Sequence, residues 1–216
     1  MKKGATIGRY TNAEETVDNK RKYGFVSRDD EQRYRDEATS GALPMAGDGE
    51  LRKDTYVATR DLKIANQKAV TDYLVEKYGN TKISDIAGHY PQSEGITKDM
   101  LKVFGDQTVK SIKESLDVNG RLLSKNALQL AKSVPKSERK QLAYMAARAE
   151  LGNQVATAIM ANEFYGGSGG RDMISHFTKR GFDAIADVED LAKGMDYPII
   201  FINPGSSMKK VKSEKI

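Results

Sequence analysis

The sequence predicts an α+β protein: a twisted mixed or antiparallel sheet built from both chain ends, with a helical insertion in the middle. Three observations lead there. Short runs with β-branched and aromatic residues, Ala5-Thr-Ile7, Gly24-Phe-Val-Ser27 and Thr55-Tyr-Val-Ala-Thr59, fall early in the chain. Apolar residues recur at helical spacing through the middle. Near the end, Ile199 to Ile202 is a continuous apolar run closed at once by Asn203-Pro204-Gly205, as a strand buried on both faces requires. This order divides the chain into residues 1–80, the first strands and helices of the sheet domain; 81–165, the insertion; and 166–216, the helix and strands that complete the sheet.

Each element has its own signal. Thr11-Asn-Ala-Glu14 is a capping box that predicts a short helix over about 12–21. Ser27 opens a polar helix reaching about Ala38, and the Gly, Pro and Asp residues of 39–53 make a loop. Leu62-Lys-Ile-Ala65 continues the strand after a kink. Asn66 then caps a helix with Val70, Tyr73, Leu74 and Tyr78 at helical spacing, closed by Gly79-Asn80. His89-Tyr90-Pro91 reads as a loop turn. A helix covers Thr97 to Phe104. Asp106 caps the next, with Val109, Ile112 and Leu116 on one face, and another runs from Leu122 to Val134, stopped by Pro135. Ser137 caps a long helix with Leu142, Met145, Ala146 and Ala149 turned inward, extended or followed by Val155, Ile159 and Met160. A last helix spans Arg171 to Arg180 and ends at Gly181.

At 216 residues the chain can bury a sizeable core. Hydrophobic residues make up 38%, charged residues 30%, and the mean hydropathy is −0.61, polar for a globular protein but short of disorder. The absence of Cys excludes disulfides and thiolate metal sites, and two histidines, His89 and His176, do not make a zinc site. No run has the length of a membrane-spanning helix, and Gly4-Ala-Thr-Ile-Gly-Arg9 breaks the apolar core of a signal peptide, so neither is read. The net charge of +5 lies largely in the tail, where Lys209, Lys210 and Lys212 suit phosphate, nucleic acid or an acidic partner. No aromatic residues interleave with these lysines to stack on bases, which favours a solvated tail.

Several patterns carry possible chemistry. Gly166-Gly-Ser-Gly-Gly170 precedes a helix whose first amides could hold an anion, but it follows a helix and lacks the Lys-Ser/Thr ending of a phosphate loop, so it reads as a hinge. His176, beside Phe177 on an amphipathic helix with no carboxylate placed near it, reads as structural. Asp183, Asp187, Glu189 and Asp190 gather at strand ends, where catalytic carboxylates often sit; Asp187, Glu189 and Asp190 could position a cation, a ribose or a base, or form a solvated loop between two strands. Arg9 follows the first strand, where a guanidinium can fork onto phosphate or carboxylate or lie at the surface.

The two ends together resemble ADP-ribosyltransferase-like domains of bacteriophage head-morphogenesis and polyvalent proteins. Gly181-Phe-Asp-Ala-Ile-Ala followed by Ile199-Ile-Phe-Ile-Asn-Pro204 is similar to the ending of such domains. Gly8-Arg9-Tyr10 stands for their Arg-containing first motif, Tyr23-Gly-Phe-Val-Ser27 for the aromatic-x-Ser strand, and Asp54 to Ile64 for the strand that follows. The resemblance covers about the first 80 and last 40 residues. It implies the fold, and two functions. One is a virion-associated structural or ejected protein that contacts other virion proteins or itself, in the virion or the host cytoplasm, with no cofactor. The other is an NAD-dependent transferase acting on a host protein, in which Arg9 holds the cofactor phosphates, Ser27 braces the site and Glu189 steadies the ribosyl cation. The family has Glu where the last apolar strand opens and this chain has Pro198, so the resemblance carries the scaffold further than the activity.

Overall fold

A computed structural model describes residues 1–12, 22–24, 28–40, 49–89, 96–116, 129–130, 132–165, 170–188, 191 and 198–216. The predicted helix over 12–21 lies outside these residues but for Asn12; of that over 122–134, residues 122–128 and 131 lie outside, 129–130 are helical and 132–134 form a turn. The protein is mixed α+β. Its chain divides into two compact units, one of residues 1–66, 174–187 and 195–216 and one of 67–173 and 188–194.

The first unit holds two sheets rather than the single one expected. In the first, β3 (Arg52–Ala58) is central, flanked antiparallel by β1 (Thr6–Thr11) and β7 (Met208–Lys215). In the second, the order is β2 (Lys22–Gly24), β6 (Ile199–Phe201), β5 (Ala184–Ala186) and β4 (Ile64–Ala65), with β4 and β5 parallel and the other pairs antiparallel. The stretch 54–65 therefore feeds both sheets. The turn at Arg60-Asp61 moves the chain from β3 to β4, so Leu62-Lys-Ile-Ala65 does not continue the first strand. The basic tail is itself a strand, β7, in register with β3 from Ala58↔Met208 to Arg52↔Lys215. Its lysines lie along a sheet edge, where charge discourages pairing with another chain.

Alternation along β3 explains the packing. Asp54, Tyr56 and Ala58 point to one face and are buried, while Lys53, Thr55 and Val57 are half-buried on the other. On the buried side Ile7, Tyr56, Ala58 and Met208 of the first sheet meet Ala184, Ile199 and Phe201 of the second in one apolar cluster with Leu62. Each fully buried side chain of this kind contributes about 1.5–3 kcal/mol. Gly24 permits the approach of the two sheets: a Cβ there would sit 2.8 Å from Ile7 Cγ2 and 3.3 Å from Phe201 Cε2. On the opposite face, α1 (Arg28–Thr39) places Tyr34 and Ala38 against Tyr10 and Leu51, and Lys53 pairs with Glu31.

The second unit is helical: α2 (Gln67–Tyr78), α3 (Ile83–His89), α4 (Lys98–Phe104), a 3₁₀ turn (Val109–Ile112), α5 (Lys113–Leu116) and α6 (Lys136–Tyr165). His89 closes α3 instead of lying in a loop. Thr108, not Asp106, caps the 3₁₀ turn, its Oγ1 accepting from Ser111 N at 3.3 Å, while Val109, Ile112 and Leu116 are buried as their spacing requires. Thr97 caps α4 by accepting from Met100 N. In α6, Ala146 and Ala149 turn inward but Met145 is 55% exposed, because it lies at the edge of the covered face, about 100° around the helix from Ala146. From Leu151 onward the helix is buried almost all round. Gly152 allows α6 onto α5, since a Cβ would lie 2.6 Å from Ser115 O. The last helix, α7 (Arg171–Lys179), starts in this unit and from Ile174 belongs to the first.

Candidate functional site

The buried face of the first sheet changes from apolar to charged along its length. On β1 the face reads Ile7, Arg9, Thr11; on β3, Tyr56, Asp54, Arg52. Arg9 stands opposite Asp54 and Thr11 opposite Arg52, so each pair shares a face at cross-strand contact distance. Arg9 is thus in the interior of a six-residue strand, not at a strand end as its sequence position suggests. A bulge in β7 beside Thr55 and Tyr56 sets Lys210 opposite Tyr56 and Ser213 opposite Asp54.

Asp54 is the centre of this layer and is 1% exposed. Its Oδ2 accepts from Tyr56 Oη at 3.2 Å and from Lys210 Nζ at 3.2 Å. Its Oδ1 is buried with no hydrogen-bond partner among the described residues. A carboxylate withdrawn from water needs cations and donors around it, and Arg9, Arg52 and Lys210 supply three cations on this face to one carboxylate. Beyond Arg52, an open depression of about 300 Å³ is lined by Asn12, Gly49, Glu50, Arg52 and Lys215. There the hydrogen bond from Lys215 holds the Glu50 carboxyl below its usual value.

Of the other residues singled out by sequence, Ser27, Glu189 and Asp190 lie outside the described residues, as does 166–169 of the glycine stretch. Asp183 and Asp187 are buried and do not face solvent. Asp183 receives both arms of Arg60, at 3.0 and 2.5 Å, and the Lys63 backbone N–H at 2.9 Å, which fastens the parallel β4–β5 pair. Lys209 and Lys212 are exposed, and Lys210 turns in toward Asp54. His176 packs edge-on against Phe177, centroids 4.9 Å apart.

A second charged cluster, in the helical unit, escaped the sequence reading. Glu163 on α6 has a fully buried carboxylate. It accepts from Tyr73 Oη at 3.1 Å, from Tyr78 Oη at 2.7 Å, and from Lys77 Nζ at 3.1 and 2.8 Å. Lys77 also reaches Asp172 at 2.9 Å. Burial, and next the bond to Glu163, push the Tyr78 phenol up to about 12. Tyr73 is raised by burial and the Glu163 charge. Lys77 is raised despite burial, chiefly by its bonds to Glu163 and Asp172. The available signal was a carboxylate inside the apolar run Met160-Ala-Asn-Glu-Phe164, with Tyr73 and Lys77 one helical turn apart on α2. With Tyr73, Tyr78 and Lys77 all donating to one carboxylate, the cluster clamps α2 to α6. Beside it lies an open depression of about 620 Å³, lined in part by Asp72, Glu76, Lys77, Asp85 and Lys110.

Among the described residues no group of three or more His, Asp or Glu side chains could hold a metal ion, and no helix is long and apolar enough to cross a membrane. The chain matches no family model, no curated protein and no solved structure.

Proposed function

We propose that the protein is a virion-associated structural or ejected component of a bacteriophage, built on an ADP-ribosyltransferase-like scaffold and without transferase activity. The surroundings of Arg9 carry this reading. The residue that would grip cofactor phosphates lies within a strand, directly opposite in register a buried carboxylate to which Tyr56 and Lys210 turn. A guanidinium on the same sheet face as an internal carboxylate suits the packing of the sheet better than a site open to a dinucleotide. Pro198 supports the same reading, since the acid expected where the last apolar strand opens is missing. The scaffold then serves contacts with other virion proteins or with itself, in the virion or the host cytoplasm, and needs no cofactor.

Calorimetry with NAD, together with assay of nicotinamide release, tests this. The expected outcome is neither binding nor release at millimolar NAD. Saturable binding with turnover that Glu189→Gln abolishes would replace this reading with the active transferase, Arg9 on the phosphates and Ser27 bracing the site.

A further inference from the structure

The first turns of α6 gather positive charge on one side. At about 100° per residue, Lys136 and Lys140 lie about 40° apart around the helix, and Arg139 falls about 60° from Lys136, so the three share one arc of about 100°. All three are exposed. Ala143 and then Ala147 continue the same arc, so the helix presents cations followed by small side chains. The one acid of these turns, Glu138, points elsewhere, about 160° from both lysines and about 100° from Arg139. Among the described residues no acid pairs with any of the three, and Arg139 Nε donates to the Val134 carbonyl at 3.3 Å. Lys132, exposed in the turn just before α6, adds a fourth cation close by in the chain. Lys136 and Lys140, one turn apart, repel each other, so helix stability does not account for them.

What the arc lacks selects the partner. A protein interface is held at its centre by large apolar or aromatic anchors, and no such side chain lies between Arg139 and Lys140 around the helix. Tyr144, at the margin, leans on Phe104 with ring centroids 5.3 Å apart. A helix lying on a membrane sinks an apolar side into the lipid, but here Ala146 and Ala149 are buried in the protein itself and Leu142 is half-buried. A second copy of the chain, meeting this surface with its own in a two-fold contact, would add to the repulsion. A nucleic-acid backbone needs only cations on an accessible face, because its affinity comes from neutralised phosphates. With no aromatic side chain in the arc to stack on bases, the contact is to phosphate alone.

We propose that the face of α6 formed by Lys136, Arg139 and Lys140 binds the phosphate backbone of a nucleic acid without reading its sequence. This goes beyond the reading of the chain as a virion component and does not rest on it. The test titrates the full chain into a labelled DNA duplex of about 20 base pairs and mixed sequence, followed by fluorescence anisotropy at several salt concentrations. Saturable binding is expected, with the logarithm of affinity falling against that of salt at a slope of about −3, close to one unit per phosphate contact. Lys136→Gln and Lys140→Gln each make the slope shallower by about one. The triple variant, with Arg139→Gln added, binds roughly tenfold or more weakly. Its melting temperature is not lowered, because all three side chains are exposed. Lys209→Gln with Lys212→Gln, on β7, leaves the titration unchanged. Absent binding, salt-insensitive binding, or full affinity in the triple variant would overturn the proposal. So would binding lost in the β7 variant and kept in the triple one, which assigns the contact to the tail lysines. A poly-glutamate peptide or phosphatidylserine vesicles bound more tightly than the duplex, and lost in the triple variant, assign the face to an acidic protein or to lipid and overturn it equally.

Discussion

Glu163 shows how one buried carboxylate sets demands on its surroundings. Fully removed from water, its carboxylate is met by the ammonium of Lys77 and the hydroxyls of Tyr73 and Tyr78. Lys77→Met keeps the packing of the stem but strands the charge. We expect it to cost about 3–5 kcal/mol, measured by chemical denaturation. The cluster also sets a response to alkali. Tyr78, Tyr73 and Lys77 all have folded-state values raised above their ordinary ones. The unfolded chain therefore gives up these protons first. Their contribution to stability is fully present below about pH 10 and is lost as pH rises through about 12. Denaturation midpoints should fall over that window, and Tyr78→Phe should make the fall shallower.

Close approach between elements depends on residues that have no side chain. The apposition of β2 with β1 rests on Gly24, whose missing Cβ leaves room for Ile7 and Phe201. Gly24→Val forces the two sheets apart and is expected to cost about 1–3 kcal/mol, read as a lowered denaturation midpoint. The helices follow the same logic at Gly152 against Ser115. Periodicity alone located α2, α4 and most of α6, because caps and apolar spacing act within a few residues. It misjudged Met145, since the spacing of a stripe does not tell how wide the covered face is: Leu142 and Ala146 are more covered than Met145 between them.

At the scale of the whole molecule, the chain ends combine. β3 pairs with β7, more than 150 residues away, and β2 pairs with β6. Residues whose sequence positions suggest accessible chemistry are drawn into these pairings. Arg9 stands opposite Asp54 in register, Lys210 pairs with Asp54, and Asp183 is consumed by Arg60. The expectation of no nicotinamide release belongs here, because it follows from joining β1, β3 and β7 into one charged layer and not from any single motif. The basic excess of the chain, +5 overall, is likewise divided by the fold. The lysines of β7 guard a sheet edge, while Lys136, Arg139 and Lys140 open α6 with Glu138 among them.

The sequence by itself determined the α+β class, the strand character of both ends, the helical middle, and the buried apolar runs of β6 and the second half of α6. These are properties of local spacing and burial preference, legible wherever a periodic pattern is strong. Only the tertiary structure decided that there are two sheets, that the basic tail is an edge strand, that Arg9 faces a carboxylate, and that Glu163 is met by α2. Those depend on contacts between residues far apart in the chain, such as Lys77 with Glu163 and Arg60 with Asp183. A local pattern shows that a side chain will be buried; the long-range pairing of strands and helices decides what it is buried against.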